Sequence, residues 1–419
     1  MNGSEVTKLS SGLRVATRSM PHVNSLSVGI WVMAGARDET DSETGIAHML
    51  EHMAFKGTIR RTARDIAEQI ENVGGYLNAY TSREHTTYYA RLLHEDLELG
   101  LDVLADILQF STFDAEELER ERGVIIQEIG QANDTPDDIV FDLMQEAAYP
   151  DQPAGRPILG TLDLVRRFQR HDLADYMGHH YKAEEMVLVA AGRVNHDQLV
   201  DLAEKKFSAL QRRRDSRMEP ISYIGGARLK DKDYDQVNLV FGFDGISYDD
   251  PDYYVAQIMS MILGGGMSSR LFQEVRERRG LVYSIYSFMQ SYTDGGTFAI
   301  HAGTGPDQVN ELIPVVAEEM HRLSQDVSAE EVSRARTQLK AGMMMAYEST
   351  TNRMEQLGRQ MMIFDRPIPR QEILDSLDRV DETAVMRYMD RLLSSGPLTL
   401  GAIGPLKGLE EYDKIAARF

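Results

Sequence analysis

Residues 45–54 of this 419-residue chain read Gly-Ile-Ala-His-Met-Leu-Glu-His-Met-Ala and hold two histidines and a carboxylate at helical spacing. Because an α-helix turns once in about 3.6 residues, His48, Glu51 and His52 share one face. The apolar residues between them predict that this helix is largely buried. Buried imidazole and carboxylate groups need partners, and zinc accepts both. The segment therefore predicts two metal ligands with a carboxylate beside them.

A third protein ligand is expected elsewhere, because a catalytic zinc site combines three protein ligands with an open position. A long helical pattern from about 115 to 132 contains Glu121 and Glu128. Seven residues make nearly two turns, so these carboxylates share a face about 10 Å apart. One could bind the metal while the other supports the site from outside. The apolar run 124–126 predicts that the Glu128 end is buried, where an unpaired carboxylate would be costly.

The composition is that of an ordinary soluble globular protein, with 42% apolar and 26% charged residues. A chain of 419 residues predicts two or more domains. The absence of cysteine excludes disulfides and thiolate ligands, so any zinc must be held by histidine and carboxylate. No apolar run approaches the roughly 20 residues of a membrane span.

The chain is acidic, with 45 basic and 66 acidic residues and a net charge of −21. This balance argues against nucleic acid as a partner, because phosphate binding needs a basic surface. The net negative charge would attract basic peptides. Alternatively, it serves solubility alone. The start of the sequence lacks the patterns of a secretory signal and of a transit peptide. We expect a bacterial cytoplasmic protein, with a matured subunit of the mitochondrial matrix as the alternative.

The order of predicted elements in the first half repeats in the second half. Asp114 and Ser328 each start a long helix with a capping-box pattern. Each half opens with a strand of alternating apolar residues followed by a helix, and each half ends with a strand. These opening and closing strands are 26–32 and 186–192 in the first half, and 237–243 and 398–404 in the second.

The repeat predicts an α+β fold of two homologous tandem domains, 1–215 and 220–419, joined by a polar linker at 211–217. We expect each domain to be a mostly antiparallel sheet with helices packed on one face. Only the first copy carries the histidine pair. In the second copy, Ala335 and Gly342 stand at the positions of Glu121 and Glu128. The acids are lost together with the histidines, which indicates that they belong to the same site.

Taken together, these motifs resemble those of the pitrilysin or insulinase family, specifically its mitochondrial-processing-peptidase-like branch. The order His-x-x-Glu-His is inverted relative to most zinc peptidases and is typical of a distinct group of them. Glu128 follows the second histidine by 76 residues. Stretches similar to the family's signatures are 45–58, 78–81, 120–128 and 155–160.

The resemblance implies roles at the metal site. His48, His52 and Glu128 would bind one zinc ion per chain, and Glu51 would act as the general base of a zinc endopeptidase. Glu121 would support the ligands without binding the ion. Such a base typically contributes 10²–10⁴-fold to the rate.

The resemblance also implies a substrate site. Asn78 and Ala79 would lie on an edge strand that pairs with an extended peptide, as in other cases of β-strand addition. In the second half, Arg276 and Tyr283 match an arginine–tyrosine pair that reaches across a central chamber towards the substrate carbonyl. Taken alone, that pair is a weak signal, because an arginine at a helix end is ordinarily solvated.

Three functions follow as alternatives from the resemblance. The first is a zinc endopeptidase that cleaves unfolded or presequence-like peptides inside the chamber. The second is a non-catalytic scaffold, as in respiratory-complex core subunits of the same fold. The third is the catalytic subunit of a heterodimeric processing peptidase. Because one chain keeps the ligands, the base and the Arg276–Tyr283 pair, we expect an active homodimer of the bacterial type.

Overall fold

The structure, a computed structural model, describes residues 3–212 and 219–419. Most of the predicted linker at 211–217 lies outside these residues, so the linker stays a prediction. Within the described ranges, every helix is too short or too polar to cross a bilayer.

Two sheets organise the chain. The strands of the first sheet are β1 (Ser4–Lys8), β2 (Arg14–Ser19), β3 (Ser25–Val32), β4 (Tyr76–Thr81), β5 (Thr86–Leu93) and β6 (Met186–Gly192). The strands of the second sheet are β7 (Gly226–Asp231), β8 (Val237–Asp244), β9 (Val282–Ser291), β10 (Gly296–Thr304) and β11 (Thr399–Gly404).

The helices are numbered in chain order. In the first half they are α1 (Ile46–Ala54), α2 (Ala63–Glu71), α3 (Leu97–Gln109), α4 (Ala115–Asp134), α5 (Pro136–Ala148), α6 (Leu162–Val165), α7 (Arg170–His180) and α8 (His196–Lys206). In the second half they are α9 (Tyr253–Gly264), α10 (Val309–Leu323), α11 (Ala329–Ala346), α12 (Thr350–Phe364), α13 (Arg370–Asp378), α14 (Glu382–Ser394) and α15 (Tyr412–Ala416). A π-helical segment, Phe272–Arg278, precedes β9.

The five strands of the second sheet repeat the order of five of the six strands of the first sheet, and β1 is the additional strand. The first has the strand order β1-β2-β6-β3-β5-β4, and the second has the order β7-β11-β8-β10-β9. In each sheet one pair is parallel, β2 with β6 and β7 with β11, and the other pairs are antiparallel. The predicted α+β class and the duplication of one mostly antiparallel unit are confirmed.

The compact units are not continuous in sequence. The first unit combines the described residues of 1–129, 157–219 and 343–369, and the second combines 130–156, 220–342 and 370–419. Helix α5 therefore packs in the second unit although it lies in the first half of the chain. Helix α12 packs in the first unit although it lies in the second half. The boundaries 1–215 and 220–419 remain a prediction about the homologous halves.

Helix α12 adds a layer to the predicted arrangement, because it covers the face of the first sheet opposite α1 and α3. Trp31, the only tryptophan of the chain, is buried there with Met354 and Leu357 of α12. On the same face, Ser27 is hydrogen-bonded to the Thr350 hydroxyl at 3.0 Å. Strand β3 is thus buried on both faces, which explains its burial from Leu26 onward.

Candidate metal centre

Helix α1 is held at its start by a close backbone approach. Gly45 has φ +97°, and a Cβ on it would lie 2.6 Å from the Cα of Gly160. Gly160 has φ +76° and would meet the same backbone in return. Because only glycine tolerates both the positive φ and the contact, these two residues fix where the helix begins.

A buried carboxylate caps the same end of α1. The side chain of Glu39 accepts the N–H groups of Gly45 and Ala47, both at 2.9 Å, and Glu39 is 3% exposed. Helix N-termini have unpaired N–H donors and a partial positive charge, so a carboxylate there is favourable. The apolar face of α1 is buried in the core of the first unit. His48, Glu51 and His52 therefore lie on the helix face that points away from this core.

The structure brings the three predicted ligands together. One ligand atom from each of His48, His52 and Glu128 lies within 4.8 Å of the others. Oε2 of Glu128 is 3.8 Å from Nε2 of His48 and 3.6 Å from Nε2 of His52. These separations are too long for hydrogen bonds. They are close to the roughly 3.4 Å between two ligands of a tetrahedral ion with bonds of about 2.0–2.1 Å.

The donor set fits zinc. Two imidazoles and one carboxylate are the ligands of several catalytic zinc sites. Burial, and then the neighbouring charge of His52, lower the pKa of His48 to about 4. His48 is therefore neutral near pH 7, which is the form that binds a metal. Nδ1 of His48 is buried and has no hydrogen-bond partner among the residues that the structure describes.

The two glutamates of α4 make different contacts. This agrees with the predicted alternative in which one glutamate binds the metal and the other supports the site. Glu128 faces both imidazoles, whereas Oε2 of Glu121 lies 3.0 Å from Nδ1 of His52. Burial by itself would raise the pKa of Glu121, but hydrogen bonds from Lys56 and His52 outweigh it, and the net pKa is lowered. Glu121 is thus an anionic support for His52.

The predicted burial along α4 was wrong. The Glu128 side chain is 38% exposed and Val124 is 40% exposed, whereas Glu121 is buried. The buried residues of this helix are Leu118, Glu121, Arg122, Ile125 and Ile129. Because these positions recur at helical spacing, Val124 points to the outside. The half-exposed carboxylate leaves the metal group open to solvent on one side.

Glu51 is oriented by the strand next to α1. Thr81 donates its hydroxyl to Oε2 of Glu51 at 2.6 Å. Burial raises the pKa of Glu51, while this hydrogen bond and the charge of His52 act in the opposite direction. A half-buried carboxylate with a raised pKa beside a metal group is a general-base candidate.

Among the described strands, β4 pairs with β5 alone and is therefore an edge of the first sheet. Asn78 is exposed and Ala79 is 8% exposed. The Ala79 N–H donates to Oδ1 of Asn78 at 2.9 Å, and Nδ2 of Asn78 donates to the Tyr76 hydroxyl at 2.7 Å. Both predicted substrate residues therefore lie on a free edge whose other end, Thr81, contacts Glu51.

Arg276 and Tyr283 lie together in the second unit. The Arg276 guanidinium is 5.5 Å from the centre of the Tyr283 ring and 4.7 Å from the centre of the Phe272 ring. Tyr283 is 77% exposed. Arg276 belongs to the π-helical segment, a conformation that is frequent at functional sites. The roles of this pair stay a prediction.

Three supporting residues were missed in the sequence. Lys56 follows His52 by four residues but lies beyond the end of α1, so helical spacing alone does not predict its contact. Thr81 lies in the stretch 78–81 that resembles a family signature, but no sequence pattern indicates its contact with Glu51. Glu39 contacts α1 through a loop, and no spacing rule predicts that path.

The arrangement on the first unit, two imidazoles and a carboxylate with a second carboxylate beside them, matches the donor set found in several catalytic zinc sites. Residues 14–162 match the insulinase family (peptidase family M16), and residues 167–339 match the domain described as the peptidase M16 inactive domain. The chain belongs to the insulinase family, peptidase family M16.

Relatives share most of their length with this chain. A zinc protease of Rickettsia bellii is 41% identical over 401 residues, which cover 96% of this chain and 97% of that protein. The probable mitochondrial-processing peptidase subunit beta of Arabidopsis thaliana is 38% identical, with 99% and 81% of the two chains covered.

Solved structures share the fold. A protease from Helicobacter pylori superposes with a TM-score of 0.89 at 20% identity and covers 96% of this chain and 100% of its own. The peptidase M16 inactive domain from Pseudomonas fluorescens gives a TM-score of 0.90, also at 20% identity, with 97% and 100% covered. At that identity the likeness concerns the fold alone.

Proposed function

We propose that this protein is a zinc-dependent endopeptidase that cleaves extended, unfolded peptides. The observation that carries the proposal is the convergence of His48, His52 and Glu128 within 4.8 Å, with Glu51 on the same helix face. Membership of a family of zinc proteases supports it.

The proposed chemistry assigns one task to each residue. His48, His52 and Glu128 would hold the zinc, one ion per chain. When bound, zinc supplies a Lewis acid that activates water and polarises a carbonyl. Glu51 takes the proton of the attacking water and returns it to the leaving amine. Thr81 aims the carboxylate of Glu51, because its hydroxyl donates to one of the two oxygens.

The free edge of β4 offers a place for the substrate backbone. A peptide that adds as a strand beside Asn78 and Ala79 gains main-chain hydrogen bonds that do not depend on its sequence. Its bound carbonyl would replace Oδ1 of Asn78 as the acceptor of the Ala79 N–H. A folded protein cannot present such a strand, so unfolded or presequence-like segments are the proposed substrates. The acidic charge of −21 favours basic ones.

The remaining parts of the proposal concern assembly. We propose that Arg276 and Tyr283 stabilise the tetrahedral intermediate from a central chamber, and that the chain acts as a cytoplasmic homodimer. The presence of the metal group and of this pair in one chain supports a self-sufficient enzyme. Sedimentation of the purified chain at micromolar concentration should give twice the monomer mass of 47.3 kDa.

The proposed activity is tested with a quenched, arginine-containing peptide and purified zinc-loaded protein. We expect the wild type to cleave it and Glu51→Gln to lose at least 10²-fold in kcat, because the base is removed while the metal ligands remain. Zinc content, measured on both proteins, is the control. Comparable cleavage by the variant would refute the assignment of the base.

A second outcome would favour the alternatives. If the wild type binds one zinc per chain and cleaves no peptide, the protein is a scaffold or needs a different partner chain. The need for a partner chain is a reasonable alternative because one relative is named as the beta subunit of a processing peptidase. Activity that appears on adding a second, related chain would separate the two alternatives.

A further inference from the structure

Lys56 stands at the end of a chain of charged groups that leads to a predicted metal ligand. Its Nζ lies 2.7 Å from Oε1 of Glu121, and the other oxygen of Glu121 lies 3.0 Å from Nδ1 of His52. The side chain of Glu121 is only 9% exposed, so its carboxylate depends on protein partners rather than on water.

The contact between His52 and Glu121 decides which ring nitrogen faces the metal group. When Nδ1–H donates to Glu121, the lone pair of the ring is on Nε2. Nε2 is the atom that lies 3.6 Å from Oε2 of Glu128. An outer carboxylate of this kind orients a ligand and commonly changes metal affinity 10–100-fold when it is removed.

Glu121 is itself oriented by Lys56. A carboxylate that accepts from one imidazole alone could rotate about its last bond, and its buried charge would be poorly compensated. Lys56 occupies the second oxygen, so the plane of the carboxylate is fixed from both sides. We infer that Lys56 is a positioning residue of the metal centre, which acts on His52 through Glu121. This inference rests on the proposed function in that it requires the group to bind zinc.

A purely structural role for Lys56 can be separated from this one with a matched control. Lys206 in the same unit makes a similar ion pair, with Nζ 2.8 Å from Oδ1 of Asp102. Its side chain is 25% exposed, compared with 30% for Lys56. Neither Lys206 nor Asp102 contacts the metal group in the described part of the chain.

The test measures zinc release from the loaded full-length protein after addition of excess chelator. We expect Lys56→Met to release zinc about tenfold faster than the wild type, at the lower end of the range because it acts through Glu121. Lys206→Met should stay within about twofold of the wild type. Lys56→Arg, which keeps the charge and the donors, should restore most of the slow release.

A double variant tests the route of the effect. In a Glu121→Gln background, Lys56→Met should accelerate release no further, because the group on which it acts has been changed. A wild-type release rate in Lys56→Met, an equal acceleration in Lys206→Met, or an undiminished effect in the Glu121→Gln background would each overturn the inference. If Lys56→Met does not fold, Lys56→Gln takes its place.

The readout does not involve peptide cleavage. A wild type that binds zinc and cleaves no peptide would defeat the proposed function while the release experiment still decides the role of Lys56. A wild type that takes up no zinc would overturn the inference about Lys56 directly.

Discussion

At the scale of single residues, Thr81 connects strand β4, the proposed binding edge for a peptide, to the proposed base Glu51. Its hydroxyl donates to Glu51 at 2.6 Å, and it lies on β4 three residues after Asn78. One side chain thus links the edge that would bind the peptide to the group that would take the proton.

Replacing Thr81 with valine tests this link. We expect Thr81→Val to lower kcat about tenfold at unchanged KM and zinc content, since the base loses its orientation while the edge strand keeps its shape. Thr81→Ser retains the hydroxyl and serves as the control. Steady-state kinetics on the quenched peptide would contradict the idea if KM rose while kcat was preserved.

The shared face of His48 and His52 could be predicted from the sequence because their spacing is local. Two histidines at i and i+4 must share a helix face, whatever the rest of the fold. The different contacts of Glu121 and Glu128 could not be predicted from spacing, and only the family resemblance assigned them, because they depend on where α4 meets α1. Spacing also does not predict the contact of Glu39 with α1, because a loop sets it.

At the scale of elements, α12 is positioned by a glycine. A Cβ on Gly358 would lie 2.4 to 2.6 Å from ring atoms of Trp31. Such a contact cannot be relieved by a small shift of a buried indole. The helix can therefore approach the sheet closely only because this position has no side chain.

Gly358→Ala should destabilise the first unit by about 1–3 kcal/mol, because the added methyl overpacks the interface. We expect a lower midpoint of urea unfolding and red-shifted emission of Trp31. Gly342→Ala on α11 is the matched control, since a Cβ there would meet nothing within 4 Å. That control should be neutral or slightly stabilising, because alanine favours a helix over glycine by about 1 kcal/mol.

A partly buried ion pair lies at the start of α11. Nε and Nη2 of Arg270 donate to the two oxygens of Glu331 at 2.7 and 2.8 Å, and Ser328 donates to the same carboxylate. Burial alone would raise the pKa of Glu331, but the hydrogen bonds from Arg270 and Ser328 outweigh it and lower this pKa from 4.5 to about 2.

This depressed pKa makes a pH-dependent contribution to stability. The contribution is complete above pH 4.5 and is lost as the pH falls towards 2, because the unfolded chain takes up the proton first. After allowance for solvent screening, we expect it to reach about 1–2 kcal/mol. Glu331→Gln should therefore unfold at a lower temperature than the wild type at pH 7, by calorimetry, and the gap should narrow at pH 3. A gap independent of pH would contradict this account.

The packing of α12 in the first unit could not be predicted from the strand pattern. On β3 the apolar residues Leu26, Val28 and Ile30 alternate with Ser27 and Gly29, which is typical of a strand with one solvated face. The structure covers that second face with α12. Small residues there allow close approach of a helix, but the same residues are also common at a solvated surface.

At the scale of the whole molecule, the metal group and the only tryptophan belong to the same unit. Trp31 emission therefore reports unfolding of the first unit. A ligand that binds only the folded protein stabilises it by about 4 kcal/mol at a thousandfold excess over its dissociation constant.

Zinc loading should accordingly raise the unfolding midpoint seen by tryptophan fluorescence by about 5–15 °C. Chelation should reverse the change. His48→Gln should show no zinc-dependent shift, because one of the three ligands is lost. An equal shift in that variant would place the stabilising ion elsewhere in the protein.

The exchange of α5 and α12 also constrains how the protein is synthesised. The first sheet is complete once β6 has left the ribosome, but its Trp31 face stays bare until residues 350–364 have been translated. Nearly the whole message must be read before either half can bury its sheet. The nascent chain therefore exposes this apolar face from the completion of β6 until α12 has been translated.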